Sequence, residues 1–232
     1  MRNLTRRTLL STGLAAAALA PLQLARADGI AAACILAPEQ SLGPYHLDGA
    51  LIRREIREGK PGIGLALHLK VLDARSCEPL ANAAVDVWHC DAFGAYSGFA
   101  AGGDSHSFLR GIQLTDINGV ALFHTIFPGC YPGRTNHIHF QVRTAGTVAG
   151  ETYRGSHVAH TGQVFFPEEI TLQLMKTRFY AARPVSRTSQ AEDGIFQHQG
   201  GRASTAELLP LISESWAAFV AKLVVAVDLS QG

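Results

Sequence analysis

The sequence predicts an all-β fold, a single-domain β-sandwich with long loops and little helix. Three observations predict it. Short apolar or alternating stretches recur along the chain, as at residues 65–72, 83–89, 120–126 and 219–227. Turn signals separate them, among them Asp116-Ile117-Asn118-Gly119, where Asn-Gly favours a tight turn. Few stretches carry a helical pattern. Many short strands with turns between them favour two packed sheets.

Residues 28–40 are short on polar groups and have no clear period. Gly43-Pro44-Tyr45 reads as a turn or extended wall, because proline fixes its own φ and biases its predecessor toward extended geometry. A charged run at 53–58 is broken by Gly59-Lys60-Pro61-Gly62. The first strand is expected at 65–72, with His68 and Lys70 among apolar residues, and the second at 83–89, after a turn at 74–79. A glycine-rich loop at 100–107 precedes a short strand at 108–114. The turn at 115–119 leads to a strand at 120–126, and a further strand runs from 137 to 142. A polar loop follows through Gly155. A strand at 160–166 hands over to a short helix through Phe179, with Pro167 at its first position, where the missing N–H costs nothing. Residues 183–201 read as polar and irregular, and 219–227 as a last strand. No repeat, linker or low-complexity tract divides residues 28–232, so they read as one domain.

Of 232 residues, 47% are hydrophobic and 17% charged, enough for a packed core, and the net charge is +1. With no basic stripe or acidic tail, neither nucleic acid nor an electrostatically held membrane is an expected partner. Residues 1–27 read as a signal peptide. Arg6-Arg7 precedes an alanine-rich apolar stretch at 13–24, and Ala25-Arg26-Ala27 supplies a small-x-small cleavage site before Asp28. The apolar stretch is too short to span a bilayer, and no membrane span is expected in the mature chain. The arginine pair resembles a twin-arginine signal, which points to export of a folded protein, cofactor in place, to the periplasm or the exterior. The sequence is compatible with a homo-oligomer. Cys34, Cys77, Cys90 and Cys130 allow three full pairings, among which the sequence does not choose. Cys77–Cys90 is disfavoured, since a strand over 81–90 would hold the two at its opposite ends, roughly 30 Å apart. The absence of Cys-x-x-Cys argues against a zinc knuckle.

The chemistry concentrates in two segments. One runs Gly129-Cys130-Tyr131-Pro132-Gly133-Arg134-Thr135-Asn136-His137-Ile138-His139-Phe140, and the other Asp86-Val87-Trp88-His89-Cys90-Asp91-Ala92-Phe93-Gly94-Ala95-Tyr96-Ser97. His137 and His139, two apart on a strand, share a face. With Tyr96 and Tyr131 they make a set of two imidazoles and two phenols. A phenol ionises near neutral pH only beside a strong positive charge. Hard Fe(III) supplies that charge, whereas a softer ion prefers sulfur or more imidazole. Two tyrosinates and a hydroxide balance a 3+ ion.

These segments resemble the intradiol ring-cleavage dioxygenases, non-haem Fe(III) enzymes related to the catechol and protocatechuate dioxygenases, and the exported single-domain branch in particular. The likeness extends from about Leu36 to Phe196. It includes Pro38-Glu39-Gln40 with Gly43-Pro44-Tyr45, Gln163-Val164-Phe165-Phe166-Pro167 and Asp193-Gly194-Ile195-Phe196. The resemblance implies the family's prealbumin-like sandwich core. It implies Tyr96, Tyr131, His137 and His139 as metal ligands, with Tyr131 the phenolate that gives way to the substrate and helps accept its proton. It implies Arg134 as the cation that stabilises developing negative charge, Gln163 as the glutamine working beside it, and Pro44 and Tyr45 as a wall of the substrate pocket. The implied substrates are O2 and a small aromatic diol, cleaved between its hydroxylated carbons to a muconate-type dicarboxylate. Only five residues separate Tyr131 from His137, a shorter loop than in the cytoplasmic enzymes, and the chain lacks room for the helical dimerisation segment of catechol dioxygenases. Trp88 reads as core, and His89, His124, His157 and His160 as structural or solvated. Two other readings stand beside this one. Residues 80–85 and 116–131 also resemble the prealbumin-like repeats of non-catalytic surface modules, and the histidines with a cysteine would suit copper or zinc.

Overall fold

The computed structural model describes residues 34–99, 107–155, 157–212 and 216–231. The expected signal peptide and most of the glycine-rich loop lie outside the described residues. The elements are β1 (Gly64–Asp73), β2 (Ala84–Trp88), β3 (Arg110–Leu114), β4 (Val120–Ile126), β5 (His137–Thr144), β6 (Thr147–Ala149), β7 (Thr152–Arg154), β8 (His157–Phe165), α1 (Glu168–Leu174), α2 (Gly194–His198), β9 (Glu207–Pro210) and β10 (Phe219–Val227). One four-stranded sheet runs in the order β4-β1-β10-β9 and the other β3-β2-β5-β8. Within them β1 and β10 are parallel and the remaining pairs antiparallel.

The alternation along the strands explains the sandwich. Leu65, Leu67, Leu69 and Val71 of β1, Phe123 of β4 and Leu223 and Val225 of β10 share one buried cluster with Val85 and Val87 of β2, Ile138, Phe140 and Val142 of β5 and Val164 of β8. Because side chains alternate along a strand, the residues between them point to the outer faces. His137 and His139 therefore stand on the outer face of the second sheet. There the register aligns Trp88 of β2, His139 of β5 and Gln163 of β8 in one row.

The N-terminal segment straps the sandwich. Leu36 bridges to Ala226, on the length of β10 that β9 leaves unpaired beyond Lys222. A Cys34–Cys77 disulfide, Cα–Cα 5.6 Å, ties the segment to the turn after β1. Farther on, Glu39 meets His160 at 2.7 Å and Gln40 N–H donates to the Thr161 carbonyl at 2.9 Å. The strap thus reaches β8, the end strand of the second sheet. Cys90 and Cys130 stay free and buried.

Several boundaries differ from expectation. Helix α1 ends at Leu174, and Pro167 is its N-cap, not its first residue, with φ −53° and ψ 124°. Beyond it, i→i+3 bonds at Thr177 and Tyr180 replace the helix. The supposedly irregular 183–201 stretch contains α2, five residues long, too short for a periodic pattern to show. The polar loop before Gly155 contains the β6–β7 hairpin, anchored by Tyr153, whose hydroxyl accepts Gly146 N–H at 2.9 Å. Strand β9 was not expected; one of its four residues is buried, so it shows no apolar run.

Replacing Cys34 and Cys77 together by serine is expected to lower stability by about 2–4 kcal/mol, read by urea unfolding without reductant. An unchanged midpoint would contradict the pairing. His89 gives a pH prediction. It is buried, with Nδ1 2.8 Å from the Cys90 carbonyl and Nε2 2.7 Å from the Thr125 hydroxyl. Burial holds its pKa down at about 4. The unfolded chain therefore takes up a proton first as pH falls below the usual imidazole value. Its contribution is complete above pH ~6.5 and drains toward pH ~4 at up to about 1.4 kcal/mol per pH unit. Unfolding free energies at pH 7.5 and pH 5 test this; equal values would contradict it.

Candidate active site

The second sheet supplies the floor of the site. His139 is fully buried, and its ring stacks on Trp88 with centroids 5.1 Å apart and planes 3° from parallel. Trp88 is buried, as expected, but on the outer face against His139 and not in the sandwich core. Above His139 passes the strap. A Cβ on Gly43 would lie 3.0 Å from His139 Cε1 and 3.3 Å from Nε2, and φ of Gly43 is +72°. Only glycine combines that backbone with that approach.

Two loops bring the phenols. In the first, the Asp91 carboxylate accepts the N–H groups of Phe93 and Ala95 at 2.9 and 3.0 Å, closing the turn that leads to Tyr96. Gly94, at φ +92°, lets this turn lie against the second loop, since a Cβ there would come 2.4 Å from the Cys130 carbonyl oxygen. The loops are thus packed so that Tyr96 and Tyr131 meet edge to face, ring centroids 5.7 Å apart. Tyr45 stacks on Tyr96 at 4.3 Å and meets Tyr131 edge-on at 5.5 Å. Pro44 is exposed in the turn that leads into Tyr45.

The donor atoms converge. His137 Nδ1 lies 2.6 Å from the Thr135 carbonyl, which fixes Nδ1 as the protonated nitrogen and leaves a lone pair on Nε2. That Nε2 lies 3.1 Å from His139 Nε2 and 3.3 Å from the Tyr131 hydroxyl. Burial lowers the pKa of His137 to about 3, and burial with the neighbouring His137 holds His139 well down, so both rings are neutral. Burial raises the Tyr131 phenol to about 12 and Tyr96 well above the usual range. Among the described residues, Tyr96 Oη and His139 Nδ1 are buried without a hydrogen-bond partner.

Beside this cluster stands a guanidinium. Arg134 Nη2 makes a short hydrogen bond to Gln163 Oε1, and Arg134 Nε donates to Asp193 Oδ2 at 3.0 Å. Gln163 is oriented in turn by the strap: its Nε2 donates to the Ser41 carbonyl at 2.7 Å and its N–H to Gln40 Oε1 at 2.6 Å. The structure therefore brings Tyr96, Tyr131, His137, His139, Arg134, Gln163 and Tyr45 together. The sequence reading assigned no role to Gly43 or Asp193. Asp193 did carry a signal, since Asp before Gly-Ile-Phe reads as a helix N-cap. A cysteine-containing copper or zinc site finds no counterpart, because no three His, Cys, Asp or Glu side chains converge among the described residues.

A family model described as Dioxygenase matches residues 40–182, more than half of the chain. The chain belongs to the intradiol ring-cleavage dioxygenase family. It is 31% identical over 148 residues to catechol 1,2-dioxygenase of Acinetobacter baylyi, covering 50% of this chain and 47% of that one. It is 34% identical over 115 residues to the protocatechuate 3,4-dioxygenase beta chain of Burkholderia cepacia, covering 44% and 48%. The chain thus matches about half the length of each. Among solved structures, an intradiol ring-cleavage dioxygenase from Tetranychus urticae superposes with a TM-score of 0.76 at 33% identity, covering 84% of this chain and 95% of that one.

Intradiol dioxygenases use iron, and the residues present fit such an ion. Two neutral imidazole nitrogens face each other with a single proton, or a cation, needed between them. The buried Tyr96 phenol oxygen has no hydrogen-bond partner among the described residues, and its ring lies 6.5 Å from that of His139. Gly43→Ala tests the packing above His139. The substitution is expected to cost about 1–2 kcal/mol through its left-handed backbone alone and to lower the iron retained per chain by displacing the ring. Wild-type iron content and melting temperature in this variant would contradict it.

Proposed function

We propose that this chain is an exported non-haem Fe(III) dioxygenase that opens a catechol-type ring between its two hydroxylated carbons with O2, giving a muconate-type dicarboxylate. The observation that carries the reading is the buried convergence of Tyr96, Tyr131, His137 and His139 with the Arg134 guanidinium beside them. A non-catalytic sandwich module has no use for it. The four donors would hold the ion, which when bound withdraws electron density from a chelated diol and opens the ring to attack by oxygen.

The chain's own residues supply the rest. Tyr131 is the more accessible phenol, and with a pKa near 12 away from a cation it keeps a proton once it has taken one. It is therefore suited to accept a proton from the incoming diol. Arg134 stabilises negative charge as it develops on the substrate, from a position fixed before the substrate arrives. Tyr45 and the strap wall the site and orient the ring. Export is supported by the arginine pair, the cleavage motif at 25–27 and the Cys34–Cys77 bridge, which persists in an oxidising compartment.

Oxygen uptake by iron-loaded protein against catechol, protocatechuate, hydroxyquinol and larger phenolic diols tests the proposal. The expected result is uptake matched by a dicarboxylate product on at least one diol. A fully loaded protein that consumes no oxygen with any of them would contradict it. Arg134→Gln is expected to reduce kcat by about 10²–10³-fold while iron content stays as in wild type; equal kcat would remove Arg134 from the chemistry.

A further inference from the structure

We propose that Asp193 is the positioning residue that sets both the Arg134 guanidinium and, through Thr135, the His137 lone pair; the inference rests on the reading of the site given above. The Asp193 side chain is fully buried and spends both carboxylate oxygens. Oδ1 caps α2, accepting Ile195 N–H at 2.9 Å and Phe196 N–H at 3.0 Å. Oδ2 accepts Arg134 Nε at 3.0 Å and Thr135 N–H at 2.8 Å. The carbonyl of that same Thr135 receives the His137 Nδ1 proton at 2.6 Å. One carboxylate oxygen thus grips the cation on the substrate side and the residue that orients an imidazole on the metal side.

The grip is rigid because its other end is packed. Five residues do not make a helix on their own. Helix α2 is held by Phe196, buried edge-on against Phe165 at 5.1 Å, and the Phe165 ring lies 6.2 Å from His137. Burial pushes the Asp193 carboxyl up, but the N–H groups of Thr135 and Phe196 and the charge of Arg134 outweigh it and keep the carboxyl below its usual range. Asp193 is therefore a fixed anion opposite Arg134. With Nε on Asp193 and Nη2 on Gln163, the guanidinium plane is set from two sides. Arg134 Nη1 has no hydrogen-bond partner among the described residues, which leaves it for a substrate oxygen.

Asp193→Asn separates this role from a merely structural one. Asparagine still caps a helix well, but one of its two terminal atoms becomes a donor and cannot serve Arg134 Nε and Thr135 N–H. We expect kcat to fall about 10²-fold, as for a misplacement of about 1 Å, with KM changed much less. In metal-free protein, the His137 Nδ1 proton seen by NMR is expected to exchange faster with water. Wild-type kcat together with an unchanged ring proton would overturn the proposal. Should wild-type protein turn over no diol, the ring proton of the metal-free protein decides alone: faster exchange in the variant upholds the positioning role while the dioxygenase reading fails, and unchanged exchange overturns the role. Asp193→Ser, which keeps a capping oxygen and lacks the second one, is read by the same two measurements if the asparagine variant does not fold.

Discussion

Two imidazole nitrogens 3.1 Å apart, in a place closed to water, are the constraint around which this molecule is arranged. Both rings are neutral, and one has its proton committed to the Thr135 carbonyl. Such a pair is held together by one proton or by a cation, and the phenol rings of Tyr96 and Tyr131 pack beside it. All four lose solvation on folding, and burial drives the phenols further from ionisation. The site is therefore built at a cost that a highly charged ion would recover, because such an ion ionises the phenols and uses both imidazole lone pairs.

The sandwich makes that arrangement precise by register. The inner faces of the two sheets bury the apolar core, so the outer face of β2-β5-β8 is free to present Trp88, His139 and Gln163 in one row. Each member then takes a partner from outside the sheet. Trp88 stacks on the His139 ring, Gly43 leaves room for it, and Gln163 passes the position of the strap to Arg134. The strap is anchored at its far end by the Cys34–Cys77 bridge, so a covalent bond outside the site contributes to the placement of a wall inside it.

Much of this was legible in the sequence. The recurring short apolar or alternating stretches and the turn signals between them pointed to the sandwich, and His-x-His on a strand pointed to two donors sharing a face. The phenols and Arg134 followed from the family resemblance and lie beside those donors, in loops whose turns depend on Asp91 and Gly94. What stayed hidden depends on long-range contact. Helix α2 is too short to show a period, and strand β9 buries only Leu208. The use of Asp193 for Arg134 spans 59 positions in the chain. Likewise, Gly43 reads as part of a turn until the His139 ring is seen against it. The choice of Cys77 by Cys34 required the strap to be placed along β10.

The most direct test of the central claim is the addition of one equivalent of Fe(III) to metal-free protein at neutral pH, with visible absorption and proton release followed together. The account predicts a tyrosinate-to-iron charge-transfer band that is weakened and shifted in Tyr96→Phe, and a proton released for each phenol that ionises. Ferric ion bound tightly by a colourless protein, with no protons released, would contradict it.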